Sequence, residues 1–521
     1  MSSKIFKISA VAATVAASFA ANAALYNVYK YDDSSAVQTY GVAISPVTDS
    51  GQTNCFSDTC DQQTSAIAYE GKRYQEGFQY RDESPFLVNF GFDYIDSGDN
   101  IYDNFRSYCY NYLGYTDSIC ENWANSQYTN GYANEVGGDI DNSRAYLENT
   151  SVAGDGNVIV NSINAAGKPV GNYQTNSRRN TAYADSDTFT DGDRSRAWAQ
   201  YDDGSNVYTV GSVSTQNGTG ADYTSKAAIW KDGVVNELAW DSAAVRDRVM
   251  PQGSARDIAQ VSNKFYAVGY NSDVEERLRA SVFSSSDGST WTSTFVSGFD
   301  GGDRDLDNYL NSTLTAVSEN GVGVGTYKLR DVVSNGAYSN GLFYVSDVAN
   351  PTAKVFSGDI FFTGANGLIG GINKYDEVVG SVDFETHREV DGQPRAQRAF
   401  ITQLTSKAQA PLQGKGWYLD NLTYGSNALA SNNDYRIIQA GDINDAGVIA
   451  ATAYYCEGGY ASDAIDASCS GSSKLVAVKL VPVTDPSITE RPVETSTVER
   501  SGGTLGFFAL TLLGLLGFRR K

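Results

Sequence analysis

A short pattern recurs along this chain: a polar turn containing Asn, Asp or Gly, then an apolar strand that ends at glycine. It reads INAAGKPVG up to Gly171, DDGSNVYTVG up to Gly211, VSNKFYAVG up to Gly269, SENGVGVG up to Gly325 and INKYDEVVG up to Gly380. A degenerate copy, INDAGVIAA, ends at Ala451, and the intervals between the five glycines are 40, 58, 56 and 55 residues. Five further apolar runs follow the copies: KAAIWKDG (226–233), RASVFSSSDG (279–288), NGLFYVSD (340–347), RAFITQL (398–404) and KLVAVKL (474–480). Alternating apolar runs bounded by turn residues are strand signals. Between the two ends of the chain no segment sustains a long helical period, although 101–125 fits a short helix. Repeats of this length, each supplying several strands, cannot bury both faces alone and stack around a central axis. The expected fold is therefore all-β, a β-propeller over 24–481. Seven blades are predicted, six from the visible copies and a seventh begun by YGVAIS at Tyr40–Ser45. The short interval of 40 leaves six or eight open.

Residues 52–150 carry no clear repeat but hold four of the six cysteines, and read as an early blade with a long insertion. The cysteines form three close pairs, Cys55/Cys60, Cys109/Cys120 and Cys456/Cys469. An even number at short spacing reads as local disulfides in an oxidising compartment. A zinc site is disfavoured, because no Cys-x-x-Cys occurs and His387 is the sole histidine.

The two ends suggest export. Lys4 and Lys7 precede an apolar run, and Ala21-Asn22-Ala23 is a small-x-small cleavage site, so 1–23 reads as a signal peptide cut after Ala23. Signal peptidase is the implied partner. Residues 482–500, rich in Pro, Thr, Ser and Glu, read as the main part of a stalk over 482–503. Beyond it, 504–521 hold an apolar run from Leu505 to Phe518 and a basic end, Arg519, Arg520 and Lys521. As a helix those residues span roughly 21 Å at 1.5 Å each, marginal against a bilayer core of about 30 Å. The basic end should stay cytoplasmic.

Gly502-Gly503, the short apolar helix and the basic end, in that order, resemble the GlyGly-type sorting tails of Gram-negative bacteria. That resemblance implies a transient inner-membrane anchor, cutting near Gly502 and Gly503 by a rhombosortase-like protease, and then cell-surface display or secretion. A plain, uncut anchor is the alternative. The repeats resemble HAF-type propeller repeats of exported bacterial proteins, several families of which are uncharacterised; this likeness bears on fold alone. SSSDGSTW (Ser284–Trp291) resembles the Asp-box turn of sialidase-like propellers, one residue shorter than the common form, which implies a structural Asp287.

The net charge is −22, and removing both ends takes away five Lys/Arg and no acidic residue, giving −27. Such a balance argues against nucleic acid, whose phosphates would be repelled. No phosphate loop, Gly-x-Ser-x-Gly elbow or His-Glu-x-x-His helix is present. His387 reads as a solvated loop residue. Two acidic loops, Asp185/Asp187/Asp191/Asp193 and Asp300/Asp303/Asp305/Asp307, have the oxygen-rich composition calcium takes. Arg194 and Arg304 lie inside them, and solvated loops with no cofactor are the simpler expectation. Two functions follow. The first is a non-catalytic surface or secreted propeller binding a glycan, matrix component or protein. The alternative is an extracellular hydrolase or lyase with a carboxylate- or calcium-assisted site on the propeller axis.

Overall fold

The computed structural model describes residues 24–46, 54–73, 101–216, 223–244, 250–275, 277–299, 308–358, 360–484 and 487–494. Ala23, Gly502 and Gly503, the C-terminal apolar run, and Asp300, Asp303, Asp305 and Asp307 lie outside them. Seven four-stranded antiparallel sheets form a ring, so the fold is a seven-bladed β-propeller. The innermost strands of blades one to seven are Gln38–Ile44, Gly156–Ile163, Arg194–Asp202, Gly253–Val261, Tyr309–Val317, Gly367–Ile372 and Tyr435–Ile443. YGVAIS thus lies in the inner strand of blade one. Blade seven is completed by the other end of the chain: Tyr26–Tyr31 pairs with Ser473–Pro482, from Tyr26 opposite Pro482 to Tyr31 opposite Ala477. This pairing closes the ring, because the N-terminal strand supplies the outermost strand of the blade built by the C-terminal segment.

The recurring motif now has physical causes. Its glycines sit in the second strands of blades two to six, each opposite a β-bulge in the innermost strand. The bulged residues are Asn161, Trp198, Arg256, Thr315 and Gly370 in blades two to six. A bulge kinks the strand, and here it turns a carbonyl over the neighbouring strand. A Cβ at Gly211 would be driven into the Arg196 carbonyl oxygen, and one at Gly269 into that of Ser254. Blades one and seven bulge at Val42 and Gly441, but their partner positions are Tyr69 and Ala451.

The motif's asparagines close its turns. Asn164 accepts the Ala166 and Lys168 amides, Asn373 those of Tyr375 and Glu377, and Asn444 those of Ala446 and Val448. The same side chains donate to the next blade, at Gln200 Oε1, the Asn444 carbonyl and the Ser45 carbonyl. One residue therefore shapes a hairpin and sets the spacing between blades.

Residues 52–150 contain blade one's second and third strands, Ile67–Lys72 and Ser143–Leu147, and the excursion between them. That excursion includes helix Ile101–Tyr108, which runs into a wider turn at Cys109–Leu113 and stops at Gly114 with φ +76°. A second helix, Asp117–Ala124, returns, and Cys109–Cys120 clips the two together. Cys55–Cys60 and Cys456–Cys469 close the other two short loops. Part of the segment read as a stalk lies on the body. Buried Arg491 donates to the Asp420 and Asp463 carbonyls and to Asn433 Oδ1. The Glu494 amide donates to Asp466 Oδ1. Among the described residues no helix is long and apolar enough to cross a membrane.

Candidate functional site: the axial cavity

The acidic residues singled out from sequence do not converge. Asp185 sits in a tight turn with φ +53° and faces Lys168 at 3.7 Å, while Asp187 is exposed. Asp191 Oδ2 accepts the Trp230 indole at 2.7 Å, and Asp193 Oδ2 accepts the Gln216 amide at 2.7 Å. These bonds organise the edges of blades two and three. Among the described residues no group of three or more His, Cys, Asp or Glu is placed to hold a metal. His387 lies in the blade-six loop, with Nε2 3.1 Å from the Gln393 carbonyl oxygen and Nδ1 3.5 Å from Glu385. Asp287 accepts the Thr290 and Ser289 amides and the Ser285 hydroxyl, which hold its carboxyl below the usual carboxylate range. It is a turn residue.

The inner strands enclose a cavity of about 240 Å³ to which all seven blades contribute. The bulges build it, because each turns one residue of its strand toward the axis. Val42, Asn161, Trp198, Arg256, Thr315, Gly370 and Gly441 all line it. The ring is uneven. Glycine backbones let blades six, seven and one approach closely: a Cβ at Gly370 would strike the Ala440 carbonyl, and one at Gly41 that of Ala451. Across from them Trp198 and Arg256 fill the wall, the guanidinium 3.7 Å from the indole ring centre. Such a stack contributes about 1–2 kcal/mol when shielded from water.

Two carboxyl groups belong to this wall. Asp257 and Asp442 each follow a bulged residue, and each bridges two blades. Asp257 accepts its neighbour's amide at Ile258 and the Val317 amide of blade five, both at 2.8 Å. Asp442 accepts the Ile443 amide at 2.8 Å and the Ile44 amide of blade one at 3.0 Å. Burial pushes Asp257 up to about 6 although both amides pull the other way. The same burial takes Asp442 up to about 7, with the Asp257 charge adding to it. Asn161 Nδ2 and Ser162 Oγ donate to the Ala197 and Trp198 carbonyls, while Thr315 and Gln439 add further polar groups. Sequence reasoning missed this wall. Its faint signal was an Asp-Ile pair recurring in two inner strands, Asp257-Ile258 in GSARDIAQV and Asp442-Ile443 in YRIIQAGDI.

The helical hairpin of blade one crosses one end of the axis. Phe105 and Ala124 pack on Ile159 of blade two's inner strand, and Trp123 packs against Phe105. At the hairpin's tip, Thr116 N donates to the Gly392 carbonyl (3.1 Å) and Asp391 N to that of Gly114 (2.8 Å), both in blade six's loop. Gly114 also lies against Tyr338 of blade five. Phe105 and Gly114 are nine residues apart, roughly 13 Å of helix. Blade two and blades five and six stand on opposite sides of a seven-membered ring, so a rod joining them spans the mouth. Beneath the tip a buried network anchors the blade-six loop: Arg395 pairs with Asp383 at 3.3 Å, and Asn366 bonds Asp383 and Glu389. Ile159 precedes the bulge at Asn161, so the cavity lies further along the strands, toward the opposite face.

Similar solved structures include a Bacteroides thetaiotaomicron protein provisionally assigned as a glycosidase, 12% identical over 57% of this chain and 89% of that one, with a TM-score of 0.26. A sucrose-6-phosphate hydrolase from Lactobacillus gasseri is 11% identical over 55% and 66%, with a TM-score of 0.24. A Bombyx mori GH32 β-fructofuranosidase is 13% identical over 48% and 59%, also at 0.24. At such scores these likenesses carry no argument about activity. No curated protein matches the sequence. A family model described as a protein of unknown function (DUF3466) matches residues 238–521, more than half of the chain, and the chain belongs to that family.

Proposed function

We propose that this is an exported, non-catalytic propeller that binds a glycan or similar polymer at its axial cavity. The observation that carries the reading is the state of the two axial carboxyls. In Asp257 and in Asp442 one oxygen accepts the amide of the following residue and the other a backbone amide of the adjacent blade, so both oxygens are engaged. A pair so occupied shapes a binding wall, whereas attack or proton delivery needs an oxygen turned toward substrate. Three disulfides support an oxidising compartment, in keeping with the signal peptide and the sorting tail. Residues 491–494 dock beside the loop closed by Cys456–Cys469. This loop joins the second and third strands of blade seven, which places it on the hairpin face. A membrane tail leaving from there would turn the open end of the cavity away from the bilayer.

One observation favours the hydrolase alternative: burial raises the Asp257 and Asp442 carboxyls to about 6 and about 7, toward the range in which a general acid works. Incubating the purified mature chain with a panel of polysaccharides separates the two readings. Saturable binding without new reducing ends supports the binding protein, and turnover abolished by Asp442→Asn supports the enzyme.

A further inference from the structure

Resting on the binding reading, we propose that the axial cavity is a blind pocket for the terminal unit of a neutral polysaccharide chain, received from the face opposite the hairpin. The volume limits the occupant. About 240 Å³ lies below the roughly 300 Å³ at which drug-sized pockets begin. A single sugar ring fits such a space and an oligosaccharide does not. The wall selects against anions. Asp257 and Asp442 outnumber Arg256, whose guanidinium already lies on Trp198, and the chain carries −22 overall. The lining offers what a hydroxylated ring needs: the Thr315 hydroxyl, the Gln439 amide, the Thr452 hydroxyl and the indole of Trp198.

Chain-end recognition follows from the hairpin. An open channel could thread an internal stretch of polymer, but a channel spanned at one end admits only a terminus. The hairpin is fixed to the ring at both sides of the mouth, by Phe105 and Ala124 on Ile159 and by Gly114 and Thr116 on blade six's loop. The Cys109–Cys120 bridge holds its two arms together between those anchors.

The test is calorimetric titration of the mature chain with linear gluco-, manno- and galacto-oligosaccharides and with matching hexuronate oligomers. Each neutral series is graded in length from about six to about sixty units, so that end and internal binding separate. The expected result is saturable binding of at least one neutral series, with protein bound per chain independent of length. Thr315→Trp and, separately, Gln439→Trp fill the cavity without removing an inter-blade hydrogen bond. With an unchanged thermal melt, either should weaken affinity about tenfold or more, about 1.4 kcal/mol. Stoichiometry rising with chain length, preference for hexuronates, or no binding of any neutral series would overturn the proposal. Retained affinity in both folded variants would overturn the pocket while leaving surface binding intact. Release of shortened products would instead overturn the non-catalytic reading, with chain-end occupancy still read from the stoichiometry.

Discussion

Replacing Gly211 with Ala tests whether the repeat glycine is the partner of a bulge or a turn glycine carried along by the motif. Gly211 has an ordinary φ, so alanine meets no backbone penalty there; the obstacle is steric, since its Cβ would overlap the Arg196 carbonyl oxygen and crowd the Ala197 Cα. Backbone cannot rotate away as a side chain can. Relief requires the bulge at Trp198 to flatten, which withdraws Trp198 from Arg256 and disturbs the pairing of Ala197 with Gly211. Overpacking typically costs about 1–3 kcal/mol, and losing the stack adds about 1 kcal/mol, so about 3 kcal/mol is expected. Gly167 is the control. It adopts φ +73° with open space around it, so Gly167→Ala bears only the left-handed penalty of about 1–2 kcal/mol. Urea unfolding of both variants, followed by tryptophan fluorescence, gives the comparison. Equal destabilisation, or a Gly211→Ala cost under about 1 kcal/mol, would refute the bulge explanation.

Asp442 and Asp257 bind protons more tightly folded than unfolded, so their contribution is fully present below about pH 4 and is lost as pH rises through about 6 to 7. Thermal melts across that range should show this loss on top of other titrations, and Asp442→Asn should flatten it; an identical profile in the variant would contradict the assignment. Opening Cys109–Cys120 with paired serines removes a closure over 11 residues, worth about 3 kcal/mol in the chain-entropy account. Hydrogen exchange in 101–124 should then rise with the blades unaffected. Arg491→Ala leaves buried Asp420 with fewer compensating cations and should free 487–494, read as faster limited proteolysis there and a local loss of about 2–4 kcal/mol. For the tail, intact-mass spectrometry of surface protein should find an end near Gly502–Gly503; Lys521 still attached would contradict processing.

The strands and their turns were legible because each motif residue does local work that leaves a mark. Asn164, Asn373 and Asn444 close turns, and the repeat glycines face bulges, so both recur at blade spacing. Blade one was obscured for two physical reasons. Tyr69 stands where blades two to six have glycine, and the helical excursion separates its second strand from its third. The axial wall was illegible for a different reason. A bulge is defined by backbone pairing and accepts any side chain, so Val42, Asn161, Trp198, Arg256, Thr315, Gly370 and Gly441 share a place without sharing chemistry. The acidic loops attracted notice by composition, yet Asp191 and Asp193 spend their oxygens on Trp230 and the Gln216 amide. Arg491 hid in a polar segment, because a long side chain reaching back to Asp420 and Asn433 leaves no periodic trace.

Hydrogen–deuterium exchange of the mature chain, with and without a saturating neutral oligosaccharide, locates the ligand most directly. The account predicts protection concentrated in the inner-strand segments 197–200, 254–258, 314–317 and 438–443, with the outer strands Val234–Leu238 and Thr292–Phe295 unchanged. Protection confined to outer strands or blade edges, with the inner strands unaltered, would contradict an axial site.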